Sequence, residues 1–259
     1  LANPRALEEW RAHLEEAAAA RAHLPKVRVC AGTGCLANGS AKVRAAFEAE
    51  ACARGITLPV DFAAETTGCH GFCERGPLVV IEPGGILYVK VKPGDVPEIF
   101  EKTILRGEIV ARLQYRDPNT KKPAPTPGEI PFYARQHRLV LGRCGEVDPF
   151  EIADAVRLGA YAGLAKALDM PPGEIVGMVR ESGLRGRGGG GFPTGAKWES
   201  ARKAPGRHRF VLANGDEGDP GAFMDRSLME GDPHSVLEGM IIGARAIGAR
   251  KGFIYVRAE

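Results

Sequence analysis

The sequence has no apolar run long enough for a membrane span. About 18 consecutive apolar residues are needed, and the best stretch, Leu78 to Val91, is broken by Glu82-Pro83-Gly84-Gly85. There is no strong charge of one sign either: the net charge is +3, which gives no basis for a nucleic-acid or anionic-membrane partner. No secretory leader is visible, so the expected compartment is the cytoplasm. Patterns for hydrolytic or acid–base enzymes are missing: there is no G-x-S-x-G and no H-E-x-x-H. A C-x-x-C redox pair is also absent, as is EF-hand spacing. Aromatics are few, at 7%. With 44% hydrophobic and 26% charged residues the composition is that of an ordinary globular protein, not of a disordered, collagen-like or coiled-coil chain. What the sequence has in excess is glycine: 34 in 259 residues, with much of the surplus between Gly183 and Gly221.

Periodicity divides the chain into four parts: an N-terminal helix (1–24), a first domain (25–110), an extended linker (111–146) and a second domain (147–259). Leu7, Trp10, Leu14 and Ala18 recur with helical spacing. Strands are expected at Lys26 to Cys30, Val60 to Ala64, Leu78 to Ile81 and Ile86 to Val91. Helices are expected at Ala41 to Ala53, capped by Ser40, and at Val96 to Leu105, capped by Asp95. This order makes a thioredoxin-like α/β sandwich the natural fold for the first domain. Residues between Asp117 and Gly128 are crowded with proline and lysine, as in a linker lying on a surface. Beyond it, helices are expected at Asp148 to Leu168, Gly173 to Arg180, Ala196 to Arg202 and Asp232 to Gly248. Strands at Arg209 to Ala213 and Phe253 to Val256 alternate with them, so this domain is also α/β.

Four of the six cysteines form a pattern. Cys30 and Cys35 make C-x4-C, and Cys69 and Cys73 make C-x3-C, each pair in a glycine-bearing loop after a strand. Four thiolates from two loops at one end of a sheet suit a [2Fe–2S] cluster. Zinc, which favours C-x2-C pairs, and a disulfide framework, which needs a secretory context, are the competing readings. Cys52 reads as a buried apolar residue of its helix and Cys144 as structural. His70 reads as a loop residue between two of the cysteines.

The second constellation is Ser182-Gly183-Leu184-Arg185-Gly186-Arg187-Gly188-Gly189-Gly190-Gly191-Phe192-Pro193-Thr194-Gly195-Ala196-Lys197. Bare glycine backbone lets N–H groups approach a phosphate or a flat ring. Arg185, Arg187 and Lys197 add positive charge, and the helix that follows favours an anion at its start. Gly186, Gly188 and Gly191 match G-x-G-x-x-G, but the preceding element reads as a helix, which fails the dinucleotide context. A Walker A loop fails because Ala196 separates Gly195 from Lys197. A phosphorylated cofactor is the expectation; a purely structural glycine loop is the alternative. After the strand ending at Ala213 comes an acidic loop containing Asn214, Asp216, Glu217, Asp219 and Asp225. These groups suit ribose or ribityl hydroxyls, or a hard cation.

Val29 to Cys35 and Gly68 to Pro77 resemble the thioredoxin-like [2Fe–2S] ferredoxin domain of the smaller flavoprotein-module subunit of respiratory complex I. That resemblance implies Cys30, Cys35, Cys69 and Cys73 as cluster ligands. The glycine and acidic loops resemble the FMN- and NADH-binding subunit of complex I. They are more similar still to diaphorase subunits of NAD-linked hydrogenases and formate dehydrogenases, whose fused form the segment Ile130 to Gln136 also resembles. The implied fold is a [2Fe–2S] domain followed by the first part of a Rossmann-like α/β FMN-binding domain. The implied FMN contacts are Gly186, Arg187, Gly188, Gly189, Gly191 and Lys197, with Phe192 near the nicotinamide of NAD(H). Asn214, Asp216 and Glu217 correspond to ribityl and phosphate positions. Asp219 stands where many members carry Glu near the NADH site. Gly190 stands where complex I members usually carry Ala. The resemblance implies an NAD(H)-dependent oxidoreductase that exchanges single electrons with iron–sulfur clusters in a multi-subunit redox complex. The expected partners are hydrogenase, formate dehydrogenase or small iron–sulfur subunits. The family's flavin domain continues past the position of Glu259 to a [4Fe–4S] cysteine motif, so this chain is expected to be part of a longer polypeptide. A non-catalytic [2Fe–2S] electron-transfer and docking subunit is the alternative.

Overall fold

A computed structural model describes residues 3–30, 32–62, 71–219 and 221–257. Cys69 and His70 lie outside the described residues. The chain divides into two compact units, one of residues 14–154 with 230–232, the other of 1–13, 155–229 and 233–259.

The N-terminal helix is α1 (Pro4–Arg21). The unit of residues 14–154 then runs β1 (Lys26–Val29), α2 (Thr33–Ala37), α3 (Ser40–Arg54), β2 (Val60–Phe62), β3 (Val79–Glu82), β4 (Ile86–Tyr88) and α4 (Val96–Ile99). The helix after Val96 passes into a π-helical turn, Phe100–Ile104. The sheet order is β2-β1-β3-β4, with β2 parallel to β1 and β3 antiparallel to both its neighbours. Strand alternation sends Val27, Val29, Val79 and Ile81 to one face, where they bury against Val43, Phe47, Ile99 and Phe100. The start of α3 differs from expectation. Gly39, at φ +89°, takes the cap position and Ser40 is the first helical residue, fully buried. Cys52 is exposed rather than buried. The inward stripe of α3 is Val43, Phe47 and Ala51, and one further residue turns the side chain about 100° away.

The opposite face of the sheet carries Cys30, Val80 and Leu87. It is covered by the segment expected as a linker. Tyr115 and Ala124, from β5 (Tyr115–Arg116) and β6 (Pro123–Ala124), bury here, together with Ile130, which precedes α5 (Pro131–Ala134). The prolines that suggested an extended surface connection instead start turns, as at Pro127, where Thr126 and Glu129 form a capping box. Arg28 extends this attachment, donating from Nη1 to the Gly145 carbonyl at 2.7 Å while pairing with Glu82.

The elements that follow are α6 (Ile152–Arg157), α7 (Ala162–Leu168), α8 (Pro172–Glu181), α9 (Thr194–Lys203), β7 (Phe210–Gly215), α10 (Met224–Gly231), α11 (Pro233–Ile247) and β8 (Lys251–Val256); all but the first residues of α6 and the last two of α10 belong to the second unit. The long helix expected over 148–168 is two helices. Gly159 at φ +92° and Tyr161 at φ +64° break the helical path between them. Glu238 on α11 secures the second piece, accepting hydrogen bonds from the backbone N–H groups of Tyr161 (2.8 Å) and Leu164 (3.0 Å). β7 and β8 pair in parallel, from Phe210 with Lys251 to Gly215 with Val256. Ala167, Ile175, Val176, Ala246 and Ile247 form the core, with Trp198 and Val211 packed against it. Among the described residues no helix is long and apolar enough to cross a membrane.

Candidate functional site

Three of the four patterned cysteines are described, and glycine geometry ties their loops together. Cys30 follows β1 and donates its N–H to the Leu78 carbonyl at 3.0 Å. Cys35 sits in α2, and Cys73 opens a 3-10 turn, Cys73–Arg75. Cys30 and Cys35 are buried; Cys73 is exposed. A Cβ at Gly34 would stand 2.9 Å from Cys73 Cβ, and one at Gly76 would stand 2.6 Å from Cys35 Sγ. Each cysteine loop thus lends a bare backbone position to a cysteine of the other. Among the described residues no three His, Cys, Asp or Glu side chains form a metal-holding group. The soft thiol set and the glycine cradle around Cys35 and Cys73 fit a thiolate-bound group at this corner.

The glycine loop is a small hairpin. Its neck is closed by Thr194 N–H donating to Leu184 O and by Gly186 N–H donating to Phe192 O, both at 2.9 Å. The Arg185 guanidinium donates from Nε to Gly191 O at 2.6 Å, which holds the returning arm. The tip is different. A Cβ at Gly188 or Gly190 would meet no atom within 4 Å, while Gly189 and Gly191 take φ of +102° and +58°. Arg187 and Phe192 are largely open to solvent around it. Behind the loop α9 presses onto α8: a Cβ at Gly195 would lie 2.6 Å from the Arg180 N and Cα.

The acidic loop leaves the carboxyl end of β7. Asn214 Oδ1 accepts from Asp216 N–H at 3.0 Å, which starts the turn. Glu217 has φ +45°, a left-handed conformation that is costly for a residue with a side chain. Its carboxylate accepts from the N–H groups of Asp225 (2.8 Å) and Arg226 (2.9 Å), at the start of α10. Both oxygens are therefore engaged in satisfying helix-start amides. Asp219 is exposed, its carbonyl accepting from Ala222 N–H at 3.0 Å. Arg209 donates to the carbonyls of Ala201, Arg202 and Ala204, each at 3.0 Å, which pins the end of α9 to the start of β7. The acidic loop lies at the carboxyl end of β7, the end of a strand where open α/β sheets take ligands.

Two features were not read from sequence. Tyr161 Oη and His234 Nδ1 are hydrogen bonded at 2.7 Å. Phe72, beside Cys73, packs against Tyr115, Phe132 and Tyr133. The aromatic pair in Ile130-Pro131-Phe132-Tyr133 was the available signal for the second; nothing local signals the first.

Comparison with known proteins fits this geometry. Residues 19–103 match the family described as thioredoxin-like [2Fe-2S] ferredoxin, and residues 179–259 match the family described as Nuo51 FMN-binding domain. Two separate segments of the chain are thus similar to a thioredoxin-like [2Fe-2S] ferredoxin and to a Nuo51 FMN-binding domain. Among individual relatives, the NADP-reducing hydrogenase subunit HndC of Solidesulfovibrio fructosivorans is 53% identical over 125 residues, 48% of this chain and 25% of that protein. An NADH-quinone oxidoreductase subunit of Aquifex aeolicus is 46% identical over 121 residues, 47% of this chain and 28% of that protein. The NAD-reducing hydrogenase HoxS subunit alpha of Cupriavidus necator is 32% identical over 236 residues, 90% of this chain and 37% of that protein. The chain spans between 25% and 37% of the length of these relatives.

Proposed function

We propose that this chain is the diaphorase-type part of an NAD(H)-dependent oxidoreductase. It binds FMN and a [2Fe–2S] cluster and works within a multi-subunit redox complex of the hydrogenase, formate dehydrogenase or complex I kind. When bound, FMN supplies the conversion between a hydride and single electrons, and the iron–sulfur centre takes electrons singly. The chain's own residues bind and orient. Cys30, Cys35, Cys69 and Cys73 hold the cluster, with Gly34 and Gly76 leaving room for the sulfurs. The backbone of Arg187, Gly188, Gly189 and Gly191 would offer N–H groups to a phosphate, Gly186 would serve by closing the neck with its N–H on the Phe192 carbonyl, and Lys197 would add a charge-assisted contact. Phe192 offers an exposed ring face for the nicotinamide. Asn214 and Asp216 would hold the ribityl hydroxyls, and Asp219 would bind the dinucleotide. Glu217 contributes indirectly, by fixing α10 below the loop. A cytoplasmic setting accords with thiols that must stay reduced for cluster assembly.

The observation that carries this reading is the glycine tip. Protein packing does not demand bare backbone at Gly188 or Gly190, so close approach of an outside group to the backbone is the better explanation. The test is to load the protein with FMN and iron and add NADH anaerobically. Bleaching of the flavin absorbance, followed by appearance of a reduced-cluster EPR signal, is expected. Stably bound FMN that NADH does not bleach would overturn the diaphorase reading and leave a [2Fe–2S] electron-transfer subunit.

A further inference from the structure

Residues 132–138 pack on Phe72 and Gly71, the two residues before Cys73 in its loop. Phe72, the residue before Cys73, is buried and stacks on Phe132 with ring centroids 4.8 Å apart and planes at 12°. Tyr133 meets the same ring edge-on at 5.5 Å, and Phe132 and Tyr133 touch each other at 5.1 Å. The Arg138 guanidinium lies over the Tyr133 ring at 5.4 Å. Its Nη2 also stands 3.6 Å from the point a Gly71 Cβ would occupy. Gly71, at φ +77°, has no side chain to hold that cation off the loop. Local chemistry places the cover. Ile130 is fully buried and anchors the segment to the sheet, and Pro131 starts the short helix that presents both rings.

A thiolate-bound iron–sulfur group is anionic, and adding an electron makes it more so. An apolar cover that excludes water disfavours the reduced form; a nearby cation favours it. We propose that Phe132 and Arg138 are positioning residues for the iron–sulfur centre. Phe132 shields one side of the Cys73 loop by stacking on buried Phe72, and Arg138 sets a positive charge against Gly71. Together they tune the reduction potential of the centre and slow its loss. The inference rests on the reading of Cys73 as a cluster ligand.

The full chain carrying its cluster is titrated potentiometrically, with the EPR signal of the reduced centre as readout. The rate of iron loss to a chelator is measured in parallel. Phe132→Ala raises the potential and speeds iron loss by roughly tenfold, while Phe132→Leu, which keeps most of the cover, falls between it and wild type. Arg138→Gln lowers the potential, and Arg138→Lys restores much of it by returning the charge. Phe150→Ala, at an apolar residue that is 75% exposed, leaves both readouts unchanged. Opposite signs for Phe132→Ala and Arg138→Gln separate tuning from simple loosening, which would move both the same way. A cluster signal present with unmoved potentials, or with shifts of one sign, overturns the inference alone. Absence of any [2Fe–2S] signal from the wild-type protein overturns the cluster reading beneath it.

Discussion

At the cysteine corner Gly34 and Gly76 are bare because Cys73 and Cys35 occupy the space a side chain would need, at 2.9 and 2.6 Å. At the tip of the second loop Gly188 and Gly190 are bare although no protein atom lies within 4 Å of the missing Cβ. The same residue type therefore answers an internal packing demand in one half of the chain and no packing demand in the other, where the proposed function assigns it to a bound cofactor. The sheets differ in the same way. The ferredoxin-like sheet buries side chains on both faces. In the β7–β8 pair, Leu212, Phe253 and Tyr255 share the outer face and each is more than half exposed. The first half closes on itself, and the second presents groups outward.

The sharpest way to break this contrast is to add a methyl group to each kind of glycine. Gly76→Ala drives a Cβ into Cys35 Sγ; it abolishes cluster incorporation, read by iron content, and lowers stability by about 1–3 kcal/mol. Gly188→Ala, at a position without left-handed φ, leaves stability equal or up to about 0.5 kcal/mol higher. It weakens FMN binding about tenfold by blocking approach to the backbone, which fluorescence titration of the flavin measures. Should Gly188→Ala unfold the chain, the tip glycines are structural and the contrast is void.

Gly195→Ala comes next. It lies in the second half yet is packed like the glycines of the first, against the Arg180 backbone at 2.6 Å. Thermal melts should show a loss of about 2 kcal/mol as α8 and α9 are forced apart. Glu217→Ala removes the acceptor for two amides of α10 while relieving little of the φ +45° strain. The expected cost is about 1 kcal/mol, measured by urea unfolding, with Glu217→Gln recovering part of it.

Acid gives the smallest effect. Glu98 is held below the usual carboxylate range by hydrogen bonds from Lys102 and Arg112, and Glu101 by those from Arg54 and Arg106. Asp117 is lowered by the backbone N–H groups of Thr120 and Asn119. All three belong to the ferredoxin-like unit; in the other, Glu199 is lowered by Lys203. A depressed folded-state value means the stabilisation is present above the unfolded value, near pH 4, and is lost as pH falls through the folded one. Circular dichroism melts on lowering pH should therefore soften the ferredoxin-like transition more. Added salt should shrink the difference, because these pairs are exposed.

Much of the fold was readable because strands and helices differ in period. β1, β3 and α8 fall within a residue or two of their expected bounds. The misreadings share a cause. The break between α6 and α7 depends on left-handed φ at Gly159 and Tyr161, which hydrophobic spacing does not register. The helix expected over Asp232 to Gly248 is present as α11, Pro233–Ile247, but the burial of Asp232 in a two-point pair with Arg143, at 2.8 and 3.2 Å, joins positions far apart in the chain. Ile130 looked like linker because proline and lysine surround it; its burial follows from a sheet face that needed covering. At the candidate site the cysteines and glycines were visible as spacing. The Glu217 contact with α10 and the Phe132 cover over Phe72 were not, since each joins positions separated along the chain.

Residue type and spacing alone settle which chemistry the chain can host. Two glycine-flanked cysteine pairs and a glycine run with basic neighbours are local, one-dimensional features, and folding does not change what they can bind. Folding decides how each residue is used. It makes Gly76 indispensable to a sulfur and Gly188 dispensable to the protein. It turns Glu217 from a loop carboxylate into the anchor of a helix, and it lays an aromatic pair and an arginine over a cysteine loop encoded far upstream. Those outcomes depend on distances of a few ångströms between segments that the order of residues does not place side by side.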